Sequence, residues 1–153
     1  TTGRQESAQE MSADVVSTAG VELVEVPIGK RALIKFKEMG GCMLPMWPTS
    51  FGDCAMLAFA VDPGSPSTLA GAALQLHNMV KDPRLQGKPV AVVINKLDLP
   101  SRMDQKQVEQ ILMIPLLVSS GLSVEVIPLS AWSGYGTSDL LRWVVRKSVI
   151  PGL

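Results

Sequence analysis

The amino-acid sequence predicts an α/β fold with a mostly parallel sheet. Two continuous apolar runs, one within "CAMLAFAVD" at residues 54–62 and one at residues 90–94, have the pattern of parallel strands that are covered on both faces. Helical patterns lie between and after these runs, so strands alternate with helices from Cys54 onward. This alternation is typical of right-handed βαβ units that share one sheet.

The chain before Cys54 has a different pattern. "GVELVEV" and "RALIKFKE" flank the turn-like "PIGK", which predicts a hairpin of two extended strands with one face more buried. The stretch "MGGCMLPMWPTSFGD" that follows is rich in Gly, Pro, Met and aromatic residues, so we expect an irregular loop there. Residues 1–16 are polar and aperiodic and are expected to form a tail or loop, with one domain over residues 17–150.

The remaining elements carry recognisable start signals. Ser65, followed by proline, predicts the N-cap of a helix, and residues 108–112 predict a short one. "LSVEVIPLS" predicts another strand, in which Pro128 favours a position at a sheet edge. Thr137 or Ser138 is expected to cap the last helix.

Composition excludes several classes of partner. The 14 basic and 14 acidic residues give a formal net charge of zero, so there is no electrostatic case for nucleic acid or an anionic membrane surface as the main partner. No apolar run approaches the roughly 20 residues of a membrane-spanning helix. Cys42 and Cys54 make no disulfide framework, and we expect a reducing, cytoplasmic location.

A polar tetrad, Asn95-Lys96-Leu97-Asp98, follows the apolar run at residues 90–94 directly. Ligands of open α/β sheets bind at the carboxyl ends of the strands. A carboxylate such as that of Asp98 can accept two parallel hydrogen bonds, and guanine offers two adjacent donors, whereas adenine has no such pair. A site of this kind rejects the wrong base by roughly 10⁴-fold or more. Asn95 can bond the other edge of the base or tie loops together, and the Lys96 stem can lie along the base plane.

A second pair, Ser130-Ala131, follows the next predicted strand. Its position would allow the Ala131 N–H group to reach the guanine oxygen and the Ser130 hydroxyl group to steady Asp98. The alternative is that Asn-Lys-x-Asp forms an ordinary solvated turn and that Ser-Ala carries no information. The occurrence of both patterns after adjacent strands favours a guanine site.

These residues resemble the fourth and fifth guanine-nucleotide motifs of small GTPases. The resemblance is narrowed to the ADP-ribosylation factor family by the segments "NKLDLP" and "FKEMGGCMLPMW". It is narrowed further, to one branch of the ADP-ribosylation factor-like proteins, by "GGCM" and "FGDC". The resemblance covers about residues 17–147 and implies a Ras-like P-loop NTPase sandwich with helices on both faces of the sheet. It also implies a GTP-binding regulatory switch that uses GTP and magnesium.

The resemblance assigns roles to individual residues. By it, Thr18 in "STAG" would meet magnesium and the terminal phosphate, and Gly41 would donate its N–H group to that phosphate. The guanine-binding set would be Asn95, Lys96, Asp98, Ser130 and Ala131.

Two positions depart from the family pattern. Glu38 stands where the family usually has an aspartate, and the extra methylene moves the carboxylate by roughly 1.5 Å, which weakens an octahedral magnesium site. Cys42 stands where a glutamine usually orients the attacking water, and a thiol cannot both donate and accept as an amide does. We therefore expect slow or absent intrinsic GTP hydrolysis, which leaves enzymatic activity uncertain.

The sequence lacks the phosphate-binding loop that the resemblance requires. Gly29-Lys30 is followed by Arg31 and Gly87-Lys88 by proline, so neither completes Gly-x-x-x-x-Gly-Lys-Ser/Thr. In the family, this loop and its preceding strand come first, so we expect the sequence to be an N-terminally truncated piece without its first strand.

Two further expectations concern partners. Met43, Met46 and Trp47, with Phe51 nearby, form an apolar cluster in a loop, which either packs into the core or binds effectors and regulators. The alternative to a GTP switch is a pseudo-GTPase, that is, a protein-interaction module that keeps the fold without nucleotide.

Overall fold

A computed structural model describes residues 17–30, 32–100 and 102–148 of the chain. The predicted tail at residues 1–16 and the end of the predicted domain at residues 149–150 lie outside the described residues, so the domain bounds remain predictions. The described chain divides into two compact units, one ending at Leu44 and one beginning at Pro45. The elements, in order, are β1 (Val21–Ile28), β2 (Ala32–Met39), a 3₁₀ helix (Gly41–Ser50), β3 (Leu57–Val61), α1 (Pro66–Met79), a second 3₁₀ helix (Pro83–Leu85), β4 (Val90–Ile94), α2 (Gln105–Ile111), α3 (Ile114–Ser119), β5 (Val124–Pro128) and α4 (Thr137–Lys147).

The first unit contains the predicted hairpin. β1 and β2 pair antiparallel in a register that runs from Val21 opposite Met39 to Ile28 opposite Ala32. Gly29 takes a φ of 61° in the connecting turn, a left-handed conformation that glycine adopts without a steric cost. Most of one face, including Val26, Ile34 and Phe36, is half-buried, whereas the opposite face is exposed except at Met39. The hairpin with one more buried face is therefore confirmed.

The second unit is built on a three-stranded parallel sheet in the order β3-β4-β5. All five residues of the central strand, β4, are buried, which confirms that this apolar run is covered on both faces. Pro128 lies at the end of β5, an edge strand of this sheet, as predicted, because proline has no N–H group to give to a further ladder.

Helices cover one face of this sheet and part of the other. Ala58 and Ala60 of β3 are exposed on that second face, so the prediction that the apolar run at residues 54–62 is covered on both faces is wrong. Val90, Val92 and Ile94 point to one side and belong to a buried cluster that includes residues of α1, α2 and α3. Glu125, which is in register with Ala91 of β4 and so faces the other side, pairs with Arg146 and Lys147 of α4. The arrangement is the predicted Ras-like sandwich.

Most helix start signals hold, and one does not. Ser65 caps α1 by accepting a hydrogen bond from the Thr68 N–H group, with proline at the first helical position. The prediction for α4 is wrong, because its N-cap is Gly136, with φ of 74° and no side-chain cap. The Thr137 hydroxyl group instead donates to the carbonyl oxygen of Gly134, and Ser138 already lies inside the helix.

Two regions are more ordered than expected. The predicted irregular loop forms 3₁₀ turns over Gly41–Ser50, interrupted by non-helical dihedral angles at Met43. The predicted short helix is confirmed as α2, but α3 follows it after Met113, whose φ is 52°, and was not predicted. No helix among the described residues has the length and apolar composition to cross a membrane.

Candidate guanine site and switch region

The Asn-Lys-x-Asp tetrad forms a turn at the carboxyl end of the parallel sheet. The backbone N–H group of Asn95 donates to the carbonyl oxygen of Val61 at 3.0 Å. Two residues later, the N–H group of Leu97 donates to the carbonyl oxygen of Leu129 at 3.3 Å. The turn is therefore fixed between the ends of the two neighbouring strands, because buried backbone groups take partners wherever the strands offer them.

Ser130 and Asp98 are in direct contact. The Ser130 hydroxyl group donates to Oδ1 of Asp98 at 2.6 Å, and its oxygen accepts the Ser133 N–H group at 3.1 Å. Ser130 is 1% exposed, whereas Asp98 is exposed. A buried hydroxyl group thus holds one oxygen of an exposed carboxylate, and the exposed side chain is accessible to a ligand.

Asn95 ties the two predicted motifs together. Its Oδ1 atom accepts hydrogen bonds from the N–H groups of Lys96, at 2.8 Å, and Ala131, at 3.0 Å. This is the loop-tying role expected of the amide. The Ala131 N–H group was expected to reach a base oxygen, but in this structure it is used by Asn95, so a ligand oxygen would have to share or replace that bond.

A shallow cavity of about 350 Å³ lies beside Asp98. Of the predicted guanine-binding residues, the cavity is lined by Asp98 and Ser130 but not by Asn95, Lys96 or Ala131. The predicted residues therefore do not share one cavity. Arg102 and Tyr135, which the sequence did not single out, do line it, and the Arg102 side chain donates to the carbonyl oxygen of Leu97. The lining consists of Leu97, Asp98, Arg102, Ser130, Ser133 and Tyr135.

Asp62 is a second charged neighbour that sequence reasoning missed. Its Oδ2 atom lies 2.8 Å from Nζ of Lys96. The hydrogen bond from Lys96 lowers the pKa of Asp62 below its ordinary value of 3.8, with a further contribution from the Gly64 N–H group. The signal that was available is its position, since Asp62 is the first polar residue after the apolar strand β3, where α/β sheets place functional side chains.

The predicted switch residues lie in the first unit and are brought together there. The Thr18 hydroxyl group donates to Oε1 of Glu38 at 2.6 Å, and the Cys42 thiol donates to the Thr18 carbonyl oxygen at 3.5 Å. Gly40 is buried between them, and a Cβ atom there would lie 1.8 Å from the Thr18 oxygen. Gly41 is exposed and has open space around it.

Magnesium was predicted to be bound at Thr18. The Thr18 hydroxyl group is a hard oxygen donor of the kind that Mg²⁺ prefers, but six ligands are needed and this group supplies only one of them. The described residues contain no group of three or more His, Cys, Asp or Glu side chains that would hold a metal ion. The donor set therefore suits magnesium only if phosphate oxygens and waters complete it.

The predicted partner-binding residues divide between packing and exposure. The Trp47 ring meets the Phe59 ring edge to face, with centroids 6.1 Å apart, and packs on the buried cluster. Met46 is 48% exposed, and Met43 is half-buried. Core packing therefore accounts for Trp47, and Met46 is the exposed member of the set.

A parallel-sheet sandwich whose Asn-Lys-x-Asp turn is bonded to a Ser-Ala loop defines a protein of the Ras-like small GTPase class. The profile of the ADP-ribosylation factor family, abbreviated Arf, matches residues 2–148. The chain belongs to this family.

Individual relatives agree with this assignment. The chain is 27% identical to human ADP-ribosylation factor-like protein 16 over 128 residues, which cover 83% of the chain and 64% of that protein. This match confirms the narrower resemblance indicated by "GGCM" and "FGDC". The chain is also 25% identical to ADP-ribosylation factor-like protein 3 of Saccharomyces cerevisiae over 132 residues, which cover 85% of the chain and 67% of that protein. The chain thus spans less than two thirds of the length of the human relative.

The fold resembles solved structures of the same class. It superimposes on the Arl6 BBS3 small GTPase from Trypanosoma brucei, solved with the bound nucleotide analogue GppNp, with a TM-score of 0.75. The alignment covers 90% of this chain and 87% of that chain at 18% sequence identity. At this identity the likeness establishes the Ras-like fold.

Proposed function

We propose that the chain contributes guanine recognition to a GTP-binding regulatory switch of the ADP-ribosylation factor-like kind. The observation that carries this proposal is the pair of bonds between the two motifs: Ser130 to Asp98, and Ala131 to Asn95. The first holds one oxygen of an exposed carboxylate, and the second ties the loop beside it to the tetrad. An ionised carboxylate held in this way accepts the two adjacent donors of guanine and has no matching partner on adenine.

The proposal gives the remaining predicted residues their roles. The Lys96 stem covers one face of the base. Thr18 and Gly41 meet the terminal phosphate of GTP, with Thr18 also binding magnesium. Glu38 and Cys42 replace the residues that normally hold and orient water, so hydrolysis is slow or absent. The free thiols of Cys42 and Cys54 suit a cytoplasmic location.

The sequence of this chain lacks the residues that usually bind the phosphates of a nucleotide. Its sequence contains no Gly-Lys-Ser/Thr loop, and such a loop supplies the backbone N–H groups and lysine that neutralise most of the charge of a nucleotide. The chain should therefore bind the base and ribose of a guanine nucleotide weakly and should lack sub-micromolar affinity for GTP.

A titration with monophosphates tests the proposal on this chain. Guanosine monophosphate (GMP) should bind with a Kd of about 1 mM, equivalent to about −4 kcal/mol, and should shift the backbone NMR signals of Asp98, Ser130 and Ala131. Adenosine monophosphate should leave these signals unchanged at the same concentration. Equal shifts with both nucleotides, or none with either, would refute guanine recognition.

One alternative has its own support. The missing phosphate loop and the exposed Met46 side chain suit a protein-interaction module that keeps the fold without nucleotide. Sequencing the transcript upstream of the Thr1 codon separates the two functions. A strand followed by a Gly-Lys-Ser/Thr loop supports the switch, and the absence of such a loop supports the interaction module.

If the loop is encoded, the longer protein allows hydrolysis to be measured. Single-turnover GTP hydrolysis should be slow with Cys42 and should increase in Cys42→Gln, because an amide both donates and accepts a hydrogen bond when it orients water. A rate that Cys42→Gln does not change would remove Cys42 as the cause.

A further inference from the structure

We propose that Asp62 is a positioning residue that fixes Lys96 at the base-recognition turn. The two side chains form an ion pair with 2.8 Å between Nζ and Oδ2. Each is partly shielded, with 44% of the Lys96 side chain and 40% of the Asp62 side chain exposed. No predicted motif includes Asp62, which lies in a different strand-to-helix connection from the tetrad.

The carboxylate of Asp62 is itself held in place. Its Oδ1 atom accepts the Gly64 N–H group at 2.9 Å, so the two oxygens have separate partners. Pro63, which follows, is fully buried, and its carbonyl oxygen accepts the Met103 N–H group at 3.0 Å. Asp62 therefore offers Lys96 a carboxylate whose position is fixed by its own hydrogen bond from Gly64.

The backbone of Lys96 is also held in an unusual conformation. Its φ is 64°, a left-handed value that residues with a Cβ atom rarely adopt. The residue is held at both ends: its N–H group donates to Oδ1 of Asn95, and its Nζ atom contacts Asp62. The hydrogen bond from Lys96 keeps the pKa of Asp62 below its ordinary value, which agrees with a close contact between the two groups.

The consequence for ligands rests on the proposed function. With Nζ held at the β3 side of the turn, the methylene stem of Lys96 is kept in one place, where it would lie against a base bound by Asp98. Loss of Asp62 would release the stem and weaken guanine binding without touching the hydrogen bonds of Asp98.

The first experiment needs no nucleotide. Asp62→Asn keeps the Oδ1 acceptor for Gly64 but places an NH₂ group opposite Nζ, so the ion pair is lost. NMR on the full chain should show the side-chain methylene signals of Lys96 becoming averaged over several rotamers, with the backbone of the turn and the thermal midpoint unchanged. Asp53→Asn, at an exposed aspartate of the same unit, is the control and should leave Lys96 unchanged. Unchanged Lys96 signals in Asp62→Asn would overturn the proposal.

A reciprocal measurement keeps the proposal falsifiable if Asp62→Asn does not fold. In Lys96→Met, the NMR-monitored pKa of Asp62 should rise towards 3.8, because its largest stabilising contact is gone. A pKa that does not move would also overturn the proposal.

The second experiment tests the consequence. Asp62→Asn and Lys96→Met should each weaken GMP binding about two- to fivefold, and the double variant should be no weaker than Lys96→Met alone. Additive losses, or no loss in Asp62→Asn when wild type binds GMP, would contradict positioning through Lys96. If wild type fails to select GMP, the proposed function fails, whereas the Lys96 signals still decide whether Asp62 fixes that residue.

Discussion

The hydroxyl group of Ser130 donates a 2.6 Å hydrogen bond to Oδ1 of Asp98, across 32 residues of sequence. One partner is buried and the other exposed. The buried partner is fixed by further bonds, since the Ser130 N–H group donates to the carbonyl oxygen of Tyr135 at 2.8 Å. The Oδ1 atom of Asp98 is therefore held by a buried serine that is itself hydrogen-bonded, and the exposed side chain is accessible to a ligand.

Replacing Ser130 by alanine should release Asp98. We expect GMP affinity to fall about three- to tenfold, equivalent to about 1 kcal/mol, because a hydrogen bond to a charged group is lost. The change is measured by NMR titration. Ser138→Ala, at an exposed serine of α4, is the matched control and should bind GMP as wild type does. Unchanged affinity in Ser130→Ala would show that Asp98 is oriented by other contacts.

Gly40 should tolerate no side chain. A Cβ atom would lie 1.8 Å from the Thr18 carbonyl oxygen, whereas at Gly41 it would meet nothing within 4 Å. Gly40→Ala should therefore push Thr18 away and break the hydrogen bond from Gly40 to Gly20, at a cost of about 2 kcal/mol. Hydrogen exchange of the β1 and β2 amides measures this cost. Comparable exchange in Gly40→Ala and Gly41→Ala would show that the backbone shifts without strain.

The ion pairs of Glu125 should give a pH-dependent contribution to stability. Hydrogen bonding from Lys147, helped by the charge of Arg146, lowers the pKa of Glu125 below 4.5. A lowered folded-state pKa stabilises the fold above pH 4.5, and this contribution is lost as the pH falls through the folded value. Because the side chains are partly exposed, Glu125→Gln should cost less than about 1 kcal/mol at pH 7.

Urea unfolding at pH 7 and pH 3 measures the effect. The difference between wild type and Glu125→Gln should shrink at the lower pH, where the carboxylate takes up its proton. A difference that is the same at both pH values would indicate that packing, and not charge, accounts for the cost.

Trp143 is 2% exposed, and its Nε1 donor has no hydrogen-bond partner in the described part of the chain. Phenylalanine would keep most of the ring and remove the unpaired donor, so Trp143→Phe should cost less than about 1.5 kcal/mol. Trp143→Ala should cost about 3–5 kcal/mol, because it leaves a cavity. Urea unfolding compares the two. A Trp143→Phe cost well above the value expected for it would indicate that Nε1 has a hydrogen-bond partner in the folded protein.

Much of the fold follows from local pattern. The continuous apolar run of β4 and the serine-proline start of α1 are signals carried by neighbouring residues, and both elements form where they were expected. α3 was not predicted, because its start depends on Met113 adopting a positive φ, which sequence does not indicate for methionine. The predicted N-cap of α4 was wrong because glycine also occurs at N-caps, and Gly136 takes this position in place of the threonine or serine that follows it.

Some contacts of the candidate site could likewise be predicted from the sequence, and others could not. Ser130 and Asp98 were predicted to meet because each directly follows a parallel strand, and neighbouring strands end at one edge of the sheet. Asp62 also follows a parallel strand but lies outside the Asn-Lys-x-Asp and Ser-Ala motifs, and its contact with Lys96 is visible only in the structure. The exposure of Met46 and the packing of Trp47 could not be separated from sequence, because both are apolar residues of one loop.

The most direct test of the central claim is the base preference of Asp98→Asn. Asparagine presents an NH₂ donor where the carboxylate has an acceptor, and xanthine carries a carbonyl oxygen where guanine carries its exocyclic amine. NMR titrations should show wild type preferring GMP and Asp98→Asn preferring xanthosine monophosphate, with a change in preference of about tenfold or more. If both proteins keep the same preference, Asp98 does not recognise guanine and the proposed function is wrong.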